Sequence, residues 1–414
     1  MKSRYKRLGD FIHKIDVRNK NSQNTKLLGL SMTKEFRPHA SNIIGTDLSR
    51  YKVVDQWQFA CDFMSTIRVR KLPVVLQDKD EQIIVSPAYT TFEVIDPNEL
   101  HPEYLMMWFR RSEFDRYAYF CCDSAVRGGF NWNELCDVEL PVPSIEKQRE
   151  IVKEYNTVIN RKRLKEKLNQ TLEETAQALY KHWFVDFEFP NEERQPYKSS
   201  GGKMVYSEKL DQEIPEDWCA KPVYEIAEFV NGASFKSEDF CSNQDGLPII
   251  KIAELKKGVH NNTNYTNVAK RDKFKIEDGS LLYSWSGTPD TSLQVFKWFG
   301  GEAWLNQHIF KINFNTVQNE YFIYYTMKML KPVFVKLAEG KQTTGLGHIT
   351  VSDMKELHIP FPSIRVMSLV SIIFGKFYKH DSILANELIH LQDFEDLILR
   401  GISTKNSDQI EQTA

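Results

Sequence analysis

Apolar side chains recur every three or four residues along two long, otherwise polar stretches of the chain, residues 145–189 and 363–401. In the first stretch they are Ile151, Tyr155, Val158, Leu164, Leu168, Leu172, Leu179 and Trp183. In the second they are Val366, Leu369, Ile373, Phe377, Leu384, Leu388, Leu391, Phe394 and Ile398. This spacing is typical of a coiled-coil seam and predicts two helices, each roughly 55–65 Å long. The alternative is two separate amphipathic helices, each lying on its own domain.

Both stretches follow a Pro-x-Pro-Ser motif. Proline disfavours helix immediately before it, and Ser144 and Ser363 are predicted to cap the helices that follow. The two motifs belong to an internal repeat with an offset of 217 to 219 residues, which indicates two duplicated domains. The matching segments are Leu8–Ile12 with Ile226–Val230, Glu103–Tyr104 with Glu320–Tyr321, and Leu140–Ile145 with Ile359–Ile364.

Within each half, short β-rich runs alternate with turn signals, so we expect an α+β domain in each. The predicted strands are residues 71–76, 82–85, 90–95, 247–252, 280–284 and 308–312, and the predicted short helices are 104–109 and 321–329. The expected order is a first domain (1–144), a central long helix (145–189), a linker (190–213), a second domain (214–362), a C-terminal long helix (363–401) and a disordered tail (402–414).

Composition favours a cytoplasmic, water-soluble protein. The 414 residues are 41% hydrophobic and 27% charged, and no run is long and apolar enough to span a membrane. The six cysteines form no metal-binding spacing and are expected to be reduced. The net charge is −2, but residues 1–145 carry 20 Lys and Arg against 19 Asp and Glu, and residues 221–363 carry 16 against 15. Charge alone therefore neither favours nor excludes nucleic-acid binding.

Several of these features together resemble one family. The central helix ends in Ala178-Leu-Tyr-Lys-His-Trp-Phe-Val-Asp-Phe187, and the second domain opens with Ile214-Pro-Glu-Asp-Trp218. With the two lobes and the paired Pro-x-Pro-Ser motifs, this chain resembles the DNA-specificity subunit of type I restriction–modification enzymes, from residue 1 to about residue 402.

The resemblance implies an architecture and a set of partners. It implies two similar α/β-mixed target-recognition domains, each reading one half of a bipartite, asymmetric site in double-stranded DNA. It also implies that the long helices form an antiparallel coiled coil that sets the spacer between the half-sites. The expected partners are two methyltransferase subunits, which use S-adenosylmethionine, and two ATP- and Mg²⁺-dependent restriction subunits.

The sequence lacks several common catalytic and cofactor-binding motifs, so we predict no catalytic, cofactor-binding or metal-binding residues in this chain. There is no Asn/Asp-Pro-Pro-Tyr/Phe motif, and Gly340-Lys341 lacks the earlier glycine and the following hydroxyl of a phosphate-binding loop. HExxH and GxSxG are also absent. Two other functions stay open: an adaptor that bridges protein partners, and a stand-alone modification enzyme.

Reading a duplex requires cations for phosphate and polar side chains for base edges. Polar and basic turns supply candidates in both halves, although any single one of them is more often a solvated loop side chain. The predicted DNA-binding residues are Arg37 (beside Lys34), Arg68, Arg70, Lys71 and Arg127 in the first half, and Lys236, Ser284, Ser286, Thr288, Lys341, Gln342, Thr343, Thr344 and His348 in the second.

One further prediction concerns register. Lys162 and Asp381 lie 219 residues apart, and each interrupts the apolar pattern near the middle of its helix. Antiparallel helices related by a pseudo-twofold axis bring equivalent midpoints together, so these opposite charges are predicted to pair. The alternative is two unrelated exposed charges.

Overall fold

A computed structural model describes residues 5–20, 24–38, 47–123, 130–241, 246–260, 262–314, 316–341 and 347–403. The chain divides into two compact units. Unit 1 comprises residues 1–164 and 389–414, and unit 2 comprises residues 165–388. Each long helix therefore contributes one part of its length to each unit.

The described part of unit 1 contains short strands and four short α-helices, besides its parts of the long helices. Its strands are β1 (Tyr5–Arg7), β2 (Ile12–Ile15), β3 (Leu28–Leu30), β4 (Phe36–Pro38), β5 (Lys52–Val54), β6 (Gln58–Cys61), β7 (Val74–Leu76), β8 (Ile83–Val85), β9 (Thr90–Val94) and β10 (Glu139–Pro141). Its helices are α1 (Thr66–Val69), α2 (Pro102–Arg110), α3 (Ser112–Asp123) and α4 (Trp132–Cys136). The main sheet has the order β2-β9-β6-β7, and β1–β10, β3–β4 and β5–β8 form two-stranded sheets.

Aromatic side chains fix α2 against the main sheet of unit 1. The rings of Phe59 in β6 and Phe92 in β9 stack with centroids 4.8 Å apart, and Phe109 of α2 meets both edge-on. All three are completely buried. Offset and edge-to-face contacts of this kind add roughly 0.5–1.5 kcal/mol each to the burial of the rings.

The described residues of unit 2 form more strands than those of unit 1, together with five short α-helices. Its strands are β11 (Met204–Ser207), β12 (Gln212–Pro215), β13 (Cys219–Pro222), β14 (Glu228–Asn231), β15 (Leu247–Ile250), β16 (Tyr265–Thr266), β17 (Lys275–Ile276), β18 (Leu281–Ser284), β19 (Ser286–Gly287), β20 (Gln294–Lys297), β21 (Ala303–Leu305), β22 (Ile309–Asn313), β23 (Gly347–His348) and β24 (His358–Phe361). The short helices are α6 (Ile252–Lys257), α7 (Pro289–Ser292), α8 (Val317–Met329), α9 (Lys331–Glu339) and α10 (Val351–Glu356). The two long helices are α5 (Ile145–Phe184) and α11 (Ile364–Gly401).

The two units repeat the same sheet. Unit 2 has a four-stranded antiparallel sheet in the order β14-β22-β18-β20, which corresponds strand for strand to β2-β9-β6-β7. The pair β13–β24 corresponds to β1–β10. The predicted duplication of an α+β domain is confirmed. Unit 2 also has a second four-stranded sheet, β16-β15-β21-β17, in which β15 and β21 are parallel. In unit 1 the pairs β3–β4 and β5–β8 are linked in a similar way by a parallel bridge between Leu27 and Ile84.

The long helices run antiparallel within each unit, as predicted. In unit 1, Val152 and Tyr155 of α5 share a core cluster with Leu399, near the C-terminal end of α11. In unit 2, Tyr180, near the end of α5, packs on Phe374, near the start of α11, with centroids 6.4 Å apart.

Part of the predicted seam is wrong. Leu164 of unit 1 is 68% exposed, Leu168 of unit 2 is 40% exposed and Phe394 of unit 1 is 56% exposed. Near Leu164 the interhelical contact is polar instead, because Lys162 reaches Glu395 at 3.0 Å. The spacing of apolar residues along a helix does not show whether the two helices meet through those residues or through charged residues next to them.

The predicted pair of Lys162 with Asp381 is also wrong. Lys162 belongs to unit 1 and binds Glu395 and Gln392 there. Asp381 belongs to unit 2, where its carboxylate lies 2.8 Å from Lys297 at the end of β20. Each charge is satisfied inside its own unit.

Only one of the two predicted serine caps forms. The hydroxyl of Ser144 accepts a long hydrogen bond of 3.4 Å from the backbone N–H of Lys147. The hydroxyl of Ser363 is buried and has no partner among the described residues.

The segment after α5 is structured, in contrast to the predicted linker. The helix ends at Phe184, five residues before its predicted end, and Phe187 takes a left-handed conformation with φ +61°. Phe187 and Phe189 are buried and pack on Trp218 with centroids 5.5 Å and 5.1 Å away. The β11–β12 hairpin then occupies part of the predicted linker region.

Candidate nucleic-acid interface

Two loops predicted to bind DNA meet in unit 2. Strand β19 pairs antiparallel with β23, so that Ser286 is opposite His348 and Gly287 is opposite Gly347. The backbone N–H of Ile349, just after β23, donates to the carbonyl of Trp285 at 2.9 Å. The turn 284–288 and the end of the loop 340–348 therefore form one surface.

Close backbone approach at this pairing requires glycine at two positions. Gly287 has φ +121°, and a Cβ there would lie 2.7 Å from the Cβ of Ser292 in α7. A Cβ on Gly347 would lie 2.8 Å from the carbonyl oxygen of Ala338 in α9. Both distances are shorter than real contacts of Cβ atoms. The glycines therefore hold the β19–β23 pair against α7 and α9.

The predicted residues around this pair differ in accessibility. His348 and Thr288 are exposed, Ser286 is half-buried, and Thr288 immediately precedes α7. Ser284 is the last residue of β18 and is completely buried, with a hydroxyl that has no partner among the described residues. The prediction that Ser284 lies in an exposed polar turn is wrong, because β18 lies between β22 and β20.

Lys341 is accessible but already has a charged partner. Its ammonium group hydrogen-bonds to the carboxylate of Asp353, which also accepts from the backbone N–H and the hydroxyl of Thr350 at 2.7 Å. Burial would raise the pKa of Asp353, but the hydrogen bonds from Lys341 and Thr350 outweigh it and lower that pKa. Gln342, Thr343 and Thr344 lie outside the described residues.

Sequence reasoning missed several polar residues beside this surface. The exposed side chain of Lys256 in α6 lies 3.4 Å from the hydroxyl of Ser292, which itself packs on Gly287. The indole N–H of Trp285 donates to Asn231 at 3.0 Å. The ring of His308 lies 5.4 Å from that of Trp285. Contacts distant in sequence bring these residues together, because α6 follows β15, whereas Trp285 and His308 lie at adjacent ends of the paired strands β18 and β22.

Lys236 lies in a separate turn of unit 2. It is exposed, and its Nζ is 3.6 Å from Glu238. Its backbone N–H donates to Asp239 at 2.9 Å. The turn therefore keeps the side chain accessible while fixing its backbone.

In unit 1, three of the predicted cations follow one another on the chain. Arg68 lies on α1, Arg70 ends it with φ +54°, and Lys71 follows, all three being exposed. The guanidinium of Arg70 lies 5.5 Å from the ring centroid of Tyr119 in α3. The strand predicted over 71–76 begins only at Val74, so the cations lie on a short helix and a turn. Arg127 lies outside the described residues.

Arg37 and its neighbour Lys34 have different environments. Arg37 is exposed on β4, opposite Gly29 of β3. Lys34 is buried, and its Nζ lies 2.8 Å from the carboxylate of Asp115. Burial lowers the pKa of Lys34, although Asp115 partly offsets this effect. Lys34 therefore stabilises the core of unit 1, whereas Arg37 is accessible.

Among the described residues, no cluster of three or more His, Cys, Asp or Glu side chains has a metal-binding arrangement. None of the helices in this part of the chain combines the length and apolarity that crossing a membrane would require.

Comparison with known proteins gives a consistent result. Residues 215–392 match the family described as type I restriction modification DNA specificity domain. The chain is 25% identical over 320 residues to the type I restriction enzyme MjaIX specificity subunit of Methanocaldococcus jannaschii, a match covering 74% of this chain and 69% of that protein. It is 33% identical over 105 residues to the HindI specificity subunit of Haemophilus influenzae, covering 24% and 22%. The resemblance to specificity subunits is confirmed.

A solved structure shares the fold. The crystal structure of a type I restriction-modification system S subunit from M. genitalium has a TM-score of 0.52 and 12% identity, covering 96% of this chain and 95% of that chain. At this identity the likeness concerns the fold alone.

Proposed function

We propose that this chain reads a bipartite, asymmetric site in double-stranded DNA, with one half-site for each unit. The match of residues 215–392 to the type I restriction modification DNA specificity domain supports this proposal. The observation that carries this proposal is the pairing of Ser286 with His348, which joins two polar loops into one surface of unit 2. The duplicated sheet supports a second reading surface in unit 1.

In unit 2, the chemistry of the β19–β23 surface suits a duplex. Lys341 and Lys256 supply cations for phosphate, and such contacts position a protein without selecting a sequence. Ser286, Thr288 and His348 offer donors and acceptors for base edges in a groove. The two glycines give the surface a fixed shape, which reduces the entropy lost on binding.

In unit 1, the equivalent surface is formed by α1 and α3. Helix α1 precedes the edge strand β7 just as α7 precedes β20. Arg68, Arg70 and Lys71 are the accessible cations there. The ring of Tyr119 holds the Arg70 guanidinium by a cation–π contact, leaving its donors available for phosphate or guanine.

This chain would act as the non-catalytic, recognition part of a larger cytoplasmic assembly. Two methyltransferase subunits would supply S-adenosylmethionine chemistry, and two restriction subunits would use ATP and Mg²⁺. Two similar units suit two copies of each partner, because each copy then meets a similar surface. The two long helices would fix the spacing between the half-sites.

Methylation sequencing of host DNA, with and without the gene, tests the proposal. We expect a split motif that loses its modification when the gene is removed. The double variant S286A/H348A should change the tolerated bases in one half of the motif only. The matched control K209A, in the turn between β11 and β12, should leave both halves unchanged. A continuous motif, or no motif that depends on the gene, would contradict the proposal.

A further inference from the structure

Unit 1 contains a surface cavity apart from the α1–α3 cations. It has a volume of about 510 Å³ and lies between the end of α2, the start of α3 and β10. Its apolar lining includes Tyr5, Phe114 and Tyr117, and its polar lining includes Trp108 and Arg111. This volume falls within the range of roughly 300–1,000 Å³ that is usual for small-molecule sites.

Arg111 is an unusual residue for a cavity wall. It is only 7% exposed, and its Nε–H has no hydrogen-bond partner in the described part of the chain. The guanidinium stacks 4.2 Å from the ring centroid of Trp108, whose own indole N–H also lacks a partner there. Glu113 lies 3.8 Å away, which is too long for a hydrogen bond. Buried donors of this kind are normally satisfied.

The fold does not require a cation at this position. Arg111 is the residue between α2 and α3, and the residue between the equivalent helices α8 and α9 of unit 2 is Leu330. Leu330 makes the same kind of backbone link, since its N–H donates to Thr326 and its carbonyl accepts from Phe334. A leucine therefore suffices for the turn between these helices.

We propose that this cavity binds a carboxylate group through the terminal nitrogens of the Arg111 guanidinium. A guanidinium is a donor only, so its partner must be an acceptor. A planar carboxylate matches the fork of an arginine and forms the stronger, charge-assisted type of hydrogen bond. The aromatic walls favour a carboxylate that is attached to an apolar or aromatic body.

The other charges of the cavity are compatible with an anionic ligand. Glu113 lies 3.6 Å from Arg116, and Asp137 is paired with Arg7, so each of these carboxylates has an arginine of its own. Glu139, the third carboxylate of the lining, is exposed to solvent. Burial lowers the pKa of Arg111, although Glu113 partly offsets this. The buried guanidinium therefore has the most to gain from a bound anion.

Binding of sodium benzoate to the full-length protein tests this site, with sodium chloride of equal ionic strength as the reference. Thermal unfolding and tryptophan fluorescence are measured for the wild type, R111L, R111K and R116L. At ten times its Kd, benzoate should raise the Tm of the wild type and of R116L by about 2–4 °C. R111L should show no shift, and R111K should bind at least about tenfold more weakly because it lacks the planar fork.

Stability without ligand gives an independent readout. R111L should unfold at the same Tm as the wild type or above it, because an unsatisfied buried cation is replaced by the residue type that unit 2 uses. A lower Tm for R111L without ligand, or an equal benzoate shift in R111L and R116L, would overturn the proposal. So would the absence of any shift in the wild type.

Two sources of the carboxylate are distinguished by a second titration. An end-blocked peptide containing Glu is compared with the same peptide containing Gln. Binding of the Glu peptide alone assigns the site to an acidic side chain of a protein partner, whereas binding of benzoate alone assigns it to a free organic acid. Displacement of benzoate by duplex DNA would instead make DNA phosphate the ligand and overturn the carboxylate assignment.

Discussion

The ammonium nitrogen of Lys297 lies 2.8 Å from the carboxylate of Asp381, which links the edge strand β20 to α11 within unit 2. Lys297 is only 5% exposed at its side chain, and its Nζ lies 3.4 Å from the ring centroid of Tyr378. Tyr324 also donates to Asp381 at 3.0 Å. This pair forms a polar link between the sheet and the second long helix in unit 2.

The first prediction concerns the loss of one partner. D381N leaves the buried ammonium group without its counter-charge, so we expect the unfolding free energy to fall by about 3–5 kcal/mol. The double variant K297M/D381N removes both charges and should recover most of this loss. Chemical denaturation of the three proteins at pH 7 measures the effect. Equal losses in D381N and in the double variant would contradict it.

The second prediction concerns pH. Burial lowers the pKa of Lys297 to about 8, although Asp381 partly offsets this effect. The unfolded chain, with the ordinary value of about 10.5, binds the proton more tightly, so the charge of Lys297 costs stability below pH 8. As the pH rises from 8 to 10.5 this cost disappears. The unfolding free energy of the wild type should therefore rise by up to about 3 kcal/mol relative to K297M/D381N.

This second prediction would be contradicted if the unfolding free energies of the wild type and of K297M/D381N changed equally with pH between pH 7 and 10. The comparison with K297M/D381N cancels the other groups that titrate in this range. Asp381 does not interfere, because Lys297 holds its pKa low against the opposing effect of burial. It therefore stays ionised throughout.

The third prediction concerns the contact between the long helices in unit 1. Lys162 lies 3.0 Å from Glu395, with side-chain exposures of 24% and 13%. Either single reversal, K162E or E395K, should lower the unfolding free energy by about 1 kcal/mol, and the double reversal should restore it. The exposed pair Lys203–Glu216 of unit 2 is the control, and its coupling should be close to zero. Additive losses in the Lys162–Glu395 cycle would contradict the pairing.

The fourth prediction concerns phosphate contacts. K256A and K341A should weaken binding to cognate and unrelated duplexes alike and should flatten the dependence of log K on log[salt]. For K256A we expect the slope to change by about 0.9. For K341A we expect less, because Asp353 already neutralises part of the Lys341 charge. K209A is the control, and an unchanged slope would remove the lysine concerned from the interface.

The fifth prediction separates two neighbouring serines. S284A removes a buried hydroxyl without a partner among the described residues, so binding should stay unchanged and the unfolding free energy should stay equal or rise by about 1 kcal/mol. S286A should weaken binding to the cognate duplex by about 1–3 kcal/mol if it reads a base. Binding and denaturation are measured for both. A larger binding loss for S284A would contradict the placement of the site.

The long helices and the repeat were predictable because their signals are periodic and local. The start of α5 at Ile145 and the end of α11 at Gly401 agree with the predicted bounds. The sheet was predictable in outline because β9 and β22 are short hydrophobic runs between turns. The two units confirm this, since they carry the same order of strands.

The pairing of charges and the burial of loop residues were not predictable, since both depend on contacts distant in sequence. Asp381 meets Lys297 across 84 residues. Ser284 follows three buried residues of β18, and both faces of this strand are covered, because Leu281 and Tyr283 pack in one hydrophobic cluster and Leu282 in another. A polar, glycine-containing turn and the buried end of a strand look alike in sequence. The positions of Lys256 and Trp285 beside this surface were missed because they too depend on contacts distant in sequence.

The aromatic packing of Phe187 and Phe189 on Trp218 has a practical consequence for grafting experiments. A crossover placed at Pro190, the predicted start of the linker, would separate Phe187 and Phe189 from Trp218 and leave hydrophobic side chains exposed on the transferred segment. Hybrid proteins should instead exchange the whole stretch from the middle of α5 onward, so that Phe187, Phe189 and Trp218 all come from the same parent protein.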